Sequence, residues 1–193
     1  FKKGDRIITI IKVLAVFKSD SAMAVDDQTE RNNYLKNEIS FLEKWLSGKN
    51  IKTERTPSGA FVQILNPSSG NPIDSGKYVS VNYSGFTLSG KKFDSNTDTT
   101  FQHVGPYSFT AGAGEMIKGF DEAVQMMRPG SSAKVYMPSM LGYGSSPNPQ
   151  SGILPFEHLV FDITVVDVKE KAPQIMPLRK QQNIKVDAAQ PKN

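Results

Sequence analysis

The sequence predicts an α+β domain, and three features of the 193-residue chain carry that expectation. In residues 77–88, KYVSVNYSGFTL, Val79, Val81 and Tyr83 fall on one face and Ser80, Asn82 and Ser84 on the other. That period of two marks a half-buried antiparallel strand. Ala133, Val135 and Met137 alternate in the same way, and Leu159, Phe161, Ile163 and Val165 close the region with a long strand. Between them lies one short helical segment, residues 119–127, with Phe120, Val124 and Met127 on its buried side and Pro129-Gly130 to end it. Five or so strands with one short helix belong to α+β layering.

A strand and a longer helix precede this region. Residues 6–17, RIITIIKVLAVF, form a β-branched run bounded by Gly4-Asp5 and Lys18-Ser19, which favours a strand. Aligned with residues 158–168, the run pairs Ile7 with Leu159, Ile11 with Ile163 and Val13 with Val165. Residues 1–18 are therefore expected to be an orphan strand, the end of a preceding related domain. Its backbone needs a partner in the main sheet, a second copy or another domain. Residues 19–55 read as a linker holding an amphipathic helix over 26–48, started by Asp26 and Asp27 and stopped by Gly48. Leu35, Ile39, Leu42 and Leu46 recur at helical spacing. They fit packing against the chain's own domain or, alternatively, self-association. A short strand over residues 60–65 and a Pro-, Gly- and Ser-rich loop, NPSSGNPIDSG, lead into the alternating region. Residues 170–193, with their prolines, lysines and glutamines, read as an extended tail.

Composition narrows the chemistry. The absence of cysteine excludes disulfides, thiolate catalysis and cysteine-bound zinc. His103 and His158 are the two histidines, too far apart in sequence for a helical metal motif, so no metal or cofactor is expected. Net charge is +4, but lysines and acids are interspersed, which describes a solvated surface rather than a nucleic-acid stripe. No apolar run reaches the roughly 20 residues of a membrane-spanning helix. The sequence opens on Phe1, without the charged, apolar and cleavage regions of a signal peptide, and so reads as processed or truncated.

Three blocks in order carry a resemblance: GKYVSVNYSGFTLSGKKFDSN, GEMIKGFDEAVQMMRPGSSAKVYMPSMLGYG and GILPFEHLVFDITVVDV. Together, residues 56–169 resemble an FKBP-type peptidyl-prolyl cis-trans isomerase. The resemblance implies a strongly curved antiparallel sheet wrapped over one short α-helix. It also implies an aromatic pocket between helix and sheet, walled by Tyr83, Phe93, Phe109, Phe120, Tyr143 and Phe161, with Tyr107, Met116, Ile117 and Leu154 at the rim and floor. Tyr83, Phe93, Asp94, Ile117, Phe120, Tyr143 and Phe161 are the expected catalytic set; Tyr107, Phe109, Met116 and Leu154 are expected to bind substrate. The rings would hold a proline, the Ile117 N–H and the Tyr143 hydroxyl would receive substrate carbonyls, and Asp94 would accept from Tyr83 or polarise the rotating amide.

The resemblance further implies proline-containing or unfolded polypeptides as partners, with macrolides as inhibitors, and a setting in the bacterial periplasm or envelope. Two departures stand out. Phe120 occupies a position often held by tryptophan, and the arginine often found soon after Phe-Asp-Ser is absent from NTDTTFQHVGP. The alternatives to an isomerase are a proline-directed peptide-binding chaperone with little turnover, and an interaction protein working through helix 26–48.

Overall fold

The computed structural model describes residues 9–13, 15–147 and 149–173. Helix α1 (Asp20–Gly48) begins six residues before the expected start, because Ser19 is its N-cap and its side chain accepts the Ala22 N–H. Asp26 and Asp27 lie inside the helix; Asp27 pairs one turn on with Arg31 at 2.8 Å. The expected strand over 6–17 is not formed where it is described. Residues 9–13 and 15–17 lie in no ladder, and Ile10, Ile11, Val13 and Val16 are exposed. β-branched composition favours an extended chain, but a strand also needs an edge to pair with. Residues 1–8 and 14 lie outside the described residues, as does the expected tail from residue 174 onward.

Seven strands form one antiparallel sheet: β1 (Glu54–Arg55), β2 (Phe61–Asn66), β3 (Tyr78–Thr87), β4 (Lys92–Ser95), β5 (Tyr107–Thr110), β6 (Ser132–Met137) and β7 (Leu159–Lys169). Their order is β1-β2-β6-β7-β3-β4, with β5 also paired to β3. Irregularities at Ile64/Asn66, Ser80/Val81 and Gly85/Phe86 interrupt three of the ladders, and such bulges bend a sheet. The result is the expected curved sheet.

Helix α2 (Lys118–Met126) packs on one face of it. Phe120, Ala123, Val124 and Met127 are buried there with Val79, Val81, Phe109, Val135, Phe161 and Ile163. A fully buried Phe, Val or Met side chain contributes about 1.5–3 kcal/mol. Contact is close at Gly119, where a Cβ would stand 2.7 Å from Met137 Cγ.

Strand alternation builds a second, smaller core on the opposite face. Phe61, Tyr136 and Val160 face the other way from Val62, Val135 and Phe161, and against them α1 buries Ile39, Leu42 and Leu46. The apolar stripe of α1 is thus covered by its own domain, and the sheet carries a helix on each face rather than on one. Among the described residues no helix is long and apolar enough to cross a membrane.

Candidate active site

A concave cavity of about 190 Å³ opens between α2 and the inner face of the sheet. Tyr83 comes from β3, Asp94 from β4, Phe120 from α2 and Phe161 from β7; Met116 and Ile117 lie just before α2, and Tyr143 just after a 3₁₀ turn (Ser139–Leu141). The rings meet edge to face, as aromatic quadrupoles favour: Phe120 with Phe161 at 5.3 Å and 87°, Tyr83 with Phe120 at 5.9 Å and 82°.

A bulge puts Phe93 and Asp94 to work on the same site. Gly85 pairs with Asp94 and Phe86 with Lys92, so Phe93 is an extra residue in β4 and strict alternation is broken. The Phe93 ring packs against Phe161 at 5.6 Å and Tyr143 at 6.5 Å, while the Asp94 side chain turns to the cavity.

Asp94 is held by two hydrogen bonds and one close contact. Its Oδ2 accepts from the Tyr83 hydroxyl at 2.8 Å, and its Oδ1 accepts from the Ser95 N–H at 2.8 Å. The close contact is His103 Nε2, 2.9 Å from Oδ1. His103 thus meets Asp94 from the same stretch, NTDTTFQHVGP, in which the arginine is absent. Behind Asp94, the buried Asn96 fixes the hairpin: its Oδ1 accepts the Tyr83 N–H at 2.7 Å and its Nδ2 donates to Val81 O at 2.8 Å. Burial first, then the hydrogen bond and charge of Asp94, push the Tyr83 phenol above its ordinary pKa. Burial, followed by the Asp94 charge, also raises Tyr143. Both phenols stay protonated hydrogen-bond donors at neutral pH.

Asp121, buried in α2, accepts the Gly112 N–H at 2.7 Å and the Gly114 N–H at 3.3 Å, which fixes the approach to Ile117. The Ile117 carbonyl accepts the Phe120 and Asp121 N–H groups, whereas its own N–H donates to no described residue. The arrangement offers an apolar ring-lined hollow, a backbone donor and a phenol donor, with one oriented carboxylate at the edge.

A family model described as FKBP-type peptidyl-prolyl cis-trans isomerase matches residues 70–166. The chain belongs to that family. It is 33% identical over 113 residues to an FK506-binding protein of Neisseria meningitidis serogroup B, covering 58% of this chain and 98% of that one. It is 36% identical over 123 residues to FK506-binding protein 4 of Mycosarcoma maydis, covering 64% of this chain. Several curated relatives are much longer, and the chain spans 31%, 27% and 7% of three of them. Among solved structures, a peptidyl-prolyl cis-trans isomerase of Pseudomonas syringae matches with a TM-score of 0.55 and 28% identity, over 71% of this chain and 94% of that one. FkpA of Escherichia coli matches with a TM-score of 0.56 and 28% identity, over 77% and 65%.

Within this FKBP-type domain, the expected residues divide into three groups. Tyr83, Asp94, Met116, Ile117, Phe120, Tyr143 and Phe161 line the cavity together. Phe93 and Phe109 back the lining rings; Phe109 is wholly buried, 6.1 Å from Phe120. Tyr107 stacks on Phe109 at 6.3 Å with its other side exposed, and Leu154 is 68% exposed, outside the lining. Sequence reasoning missed Glu115, which lines the mouth, and His103 and Asn96, which set Asp94 and its hairpin. Asn96 directly follows the Phe-Asp-Ser motif, but its partners lie on another strand, which spacing does not reveal.

Proposed function

We propose that the chain accelerates cis/trans rotation about X–Pro bonds in protein substrates. The barrier is about 18–20 kcal/mol because rotation breaks amide resonance. The twisted amide is less polar than the planar one, so a hollow that excludes water and presents oriented donors binds it preferentially. The observation that carries this reading is the convergence of Tyr83, Phe120, Phe161 and Tyr143 on one cavity beside the Ile117 N–H, which donates to no described residue.

In this reading the rings hold the proline. The Ile117 N–H receives the carbonyl preceding the rotating bond, and the Tyr143 hydroxyl receives a second substrate carbonyl. Asp94 acts through its charge and its grip on Tyr83, without proton transfer. Substrates are unfolded or loop segments containing proline, and macrolides of the kind named in the FK506-binding relatives compete for the same hollow. The likeness to E. coli FkpA over 77% of the chain supports a bacterial envelope setting, which fractionation of cells making the intact protein checks.

Exchange NMR on a Leu-Pro or Phe-Pro peptide tests the activity. Faster cis/trans exchange at substoichiometric protein is the expected result. Binding without acceleration would instead make the domain a proline-directed peptide-binding chaperone.

A further inference from the structure

Tyr143 is carried by the stretch Ser139–Gly144, and α1 holds this stretch directly at one end and through Phe156 at the other. At the first end stands Glu38, a carboxyl only 5% exposed. Its Oε1 accepts the Ser139 hydroxyl, and its Oε2 accepts the Met140 N–H at 3.1 Å. His158 Nδ1 lies 3.6 Å from Oε1, while its Nε2 is buried without a partner among the described residues. At the second end, Phe156 takes φ +60°, a left-handed conformation that costs a bulky side chain energy. Two contacts hold it there. Its N–H donates to Gly144 O at 2.8 Å, and its ring lies 4.7 Å from that of Tyr34 in α1. Gly144 in turn donates to Ser139 O at 2.9 Å, which closes the segment around Tyr143.

Holding α1 on the sheet does not require Glu38. Ile39, Leu42 and Leu46 already bury an apolar stripe, and a buried polar group is a poor way to gain stability compared with an apolar one. What the carboxyl adds is direction, because its two oxygens engage consecutive residues of the 3₁₀ turn. A strained Phe156 persists only if its surroundings over-determine it, and such strain gathers at ligand clamps.

We propose that α1 is a working part of the isomerase site. Glu38 is a positioning residue which, with Tyr34, fixes the Ser139–Gly144 stretch and Phe156 so that the Tyr143 hydroxyl stands at the cavity mouth. The kinetic consequence rests on the isomerase reading; the placement of Tyr143 does not.

The test compares Glu38→Ala and Glu38→Gln with Leu42→Ala, all in the full chain. Leu42 is an equally buried residue of the same helix that packs on the sheet instead. Glu38→Ala is expected to raise KM for a proline peptide about three- to tenfold, the size of one or two lost hydrogen bonds. It should also shift the Tyr143 ring resonances and speed exchange of the Met140 amide. Glu38→Gln, which keeps an acceptor, should recover part of the KM. Leu42→Ala should lower Tm while leaving KM and the Tyr143 resonances in place. Should Glu38→Ala fail to fold, Glu38→Gln and Tyr34→Leu carry the same comparison against Leu42→Ala. Equal KM changes in Glu38 and Leu42 variants, or unmoved Tyr143 resonances in the Glu38 variants, would overturn the proposal. If the unaltered protein lacks isomerase activity, the functional reading fails, and the Tyr143 resonances alone decide this one.

Discussion

The His103 Nε2 atom lies 2.9 Å from Asp94 Oδ1, which joins the loop after β4 to a carboxylate of the cavity wall. The loop itself is fixed by short contacts. Lys92 pairs with Asp98 at 2.8 Å, the Thr100 hydroxyl donates to Asp98 at 2.7 Å, and the Gly105 N–H donates to Asn96 O at 2.9 Å. His103 is therefore presented to Asp94 by a structured turn.

Removing that contact should lower kcat/KM without unfolding the protein. His103→Ala leaves the Tyr83 and Ser95 bonds to Asp94 intact, so the loss should be no more than about fivefold, the equivalent of a partly exposed polar contact of about 0.2–1 kcal/mol. His103→Arg restores a polar partner and should recover most of the activity. Peptide exchange rates measured alongside Tm check both; an alanine variant with unchanged kcat/KM would remove Asp94 orientation from the mechanism.

Acid stability should depend on Glu122. Burial works against its carboxylate, but the Ser58 hydroxyl at 2.5 Å and the Ser58 N–H at 2.9 Å outweigh that and hold its pKa below the ordinary value. With a depressed folded pKa, the unfolded chain binds the proton first. The contribution is present above the ordinary glutamate value of about 4.3 and is lost as pH falls through the folded pKa. Glu122→Gln should therefore be less stable than the parent at pH 7, with the gap closing below pH 4. Urea unfolding at both pH values measures it.

The interior of the domain was more legible than its edges. Period-two alternation located β3, β6 and the start of β7 to within a residue or two, because one buried face leaves a strong pattern; β7 runs four residues beyond Val165, the last alternating position. Helix α2 was legible for the same reason. The start of α1 was misjudged because Ser19 and Asp20 are as good a capping pair as Asp26 and Asp27, and only the first is used. The strand expected over 6–17 is not formed at its described residues for a different reason: pairing is a property of the neighbours, which composition does not contain. In the site, the resemblance named Tyr83, Phe120, Tyr143 and Phe161, which line the cavity, and also Phe93 and Phe109, which stand behind the lining. The bulge at Phe93, the His103 contact and the Glu38 clamp all join residues through three-dimensional geometry that leaves no periodic trace.

Phe120 is both core and wall, so its variants should separate stability from binding. It is wholly buried and meets Tyr83, Phe109 and Phe161 at 5.9, 6.1 and 5.3 Å. Phe120→Ala should cost about 3–5 kcal/mol of unfolding free energy. Phe120→Trp has packed rings on three sides, so the added volume must enter the cavity. The tryptophan variant should cost about 1–3 kcal/mol from overpacking and raise KM more for large residues before proline than for alanine. Denaturant melts and a peptide series varying that residue distinguish the two effects.

Gly85 sets how close the wall rings come to β3. It pairs with Asp94 on one side and Phe161 on the other, and a Cβ there would meet Phe93 Cζ at 2.7 Å and Phe161 Cε1 at 2.9 Å. Neither distance is tolerable, so in Gly85→Ala both rings must move. Because Phe93 also touches Tyr143, and Phe161 also touches Phe120 and Tyr83, the displacement reaches most of the cavity lining. The strand itself has no positive φ at this residue, so its ladder should survive. The expected outcome is a folded protein with native far-ultraviolet dichroism, a loss of about 1–3 kcal/mol, and activity on proline peptides reduced at least tenfold. Full activity in a folded Gly85→Ala protein would mean that the Phe93–Phe161 contact does not shape the site.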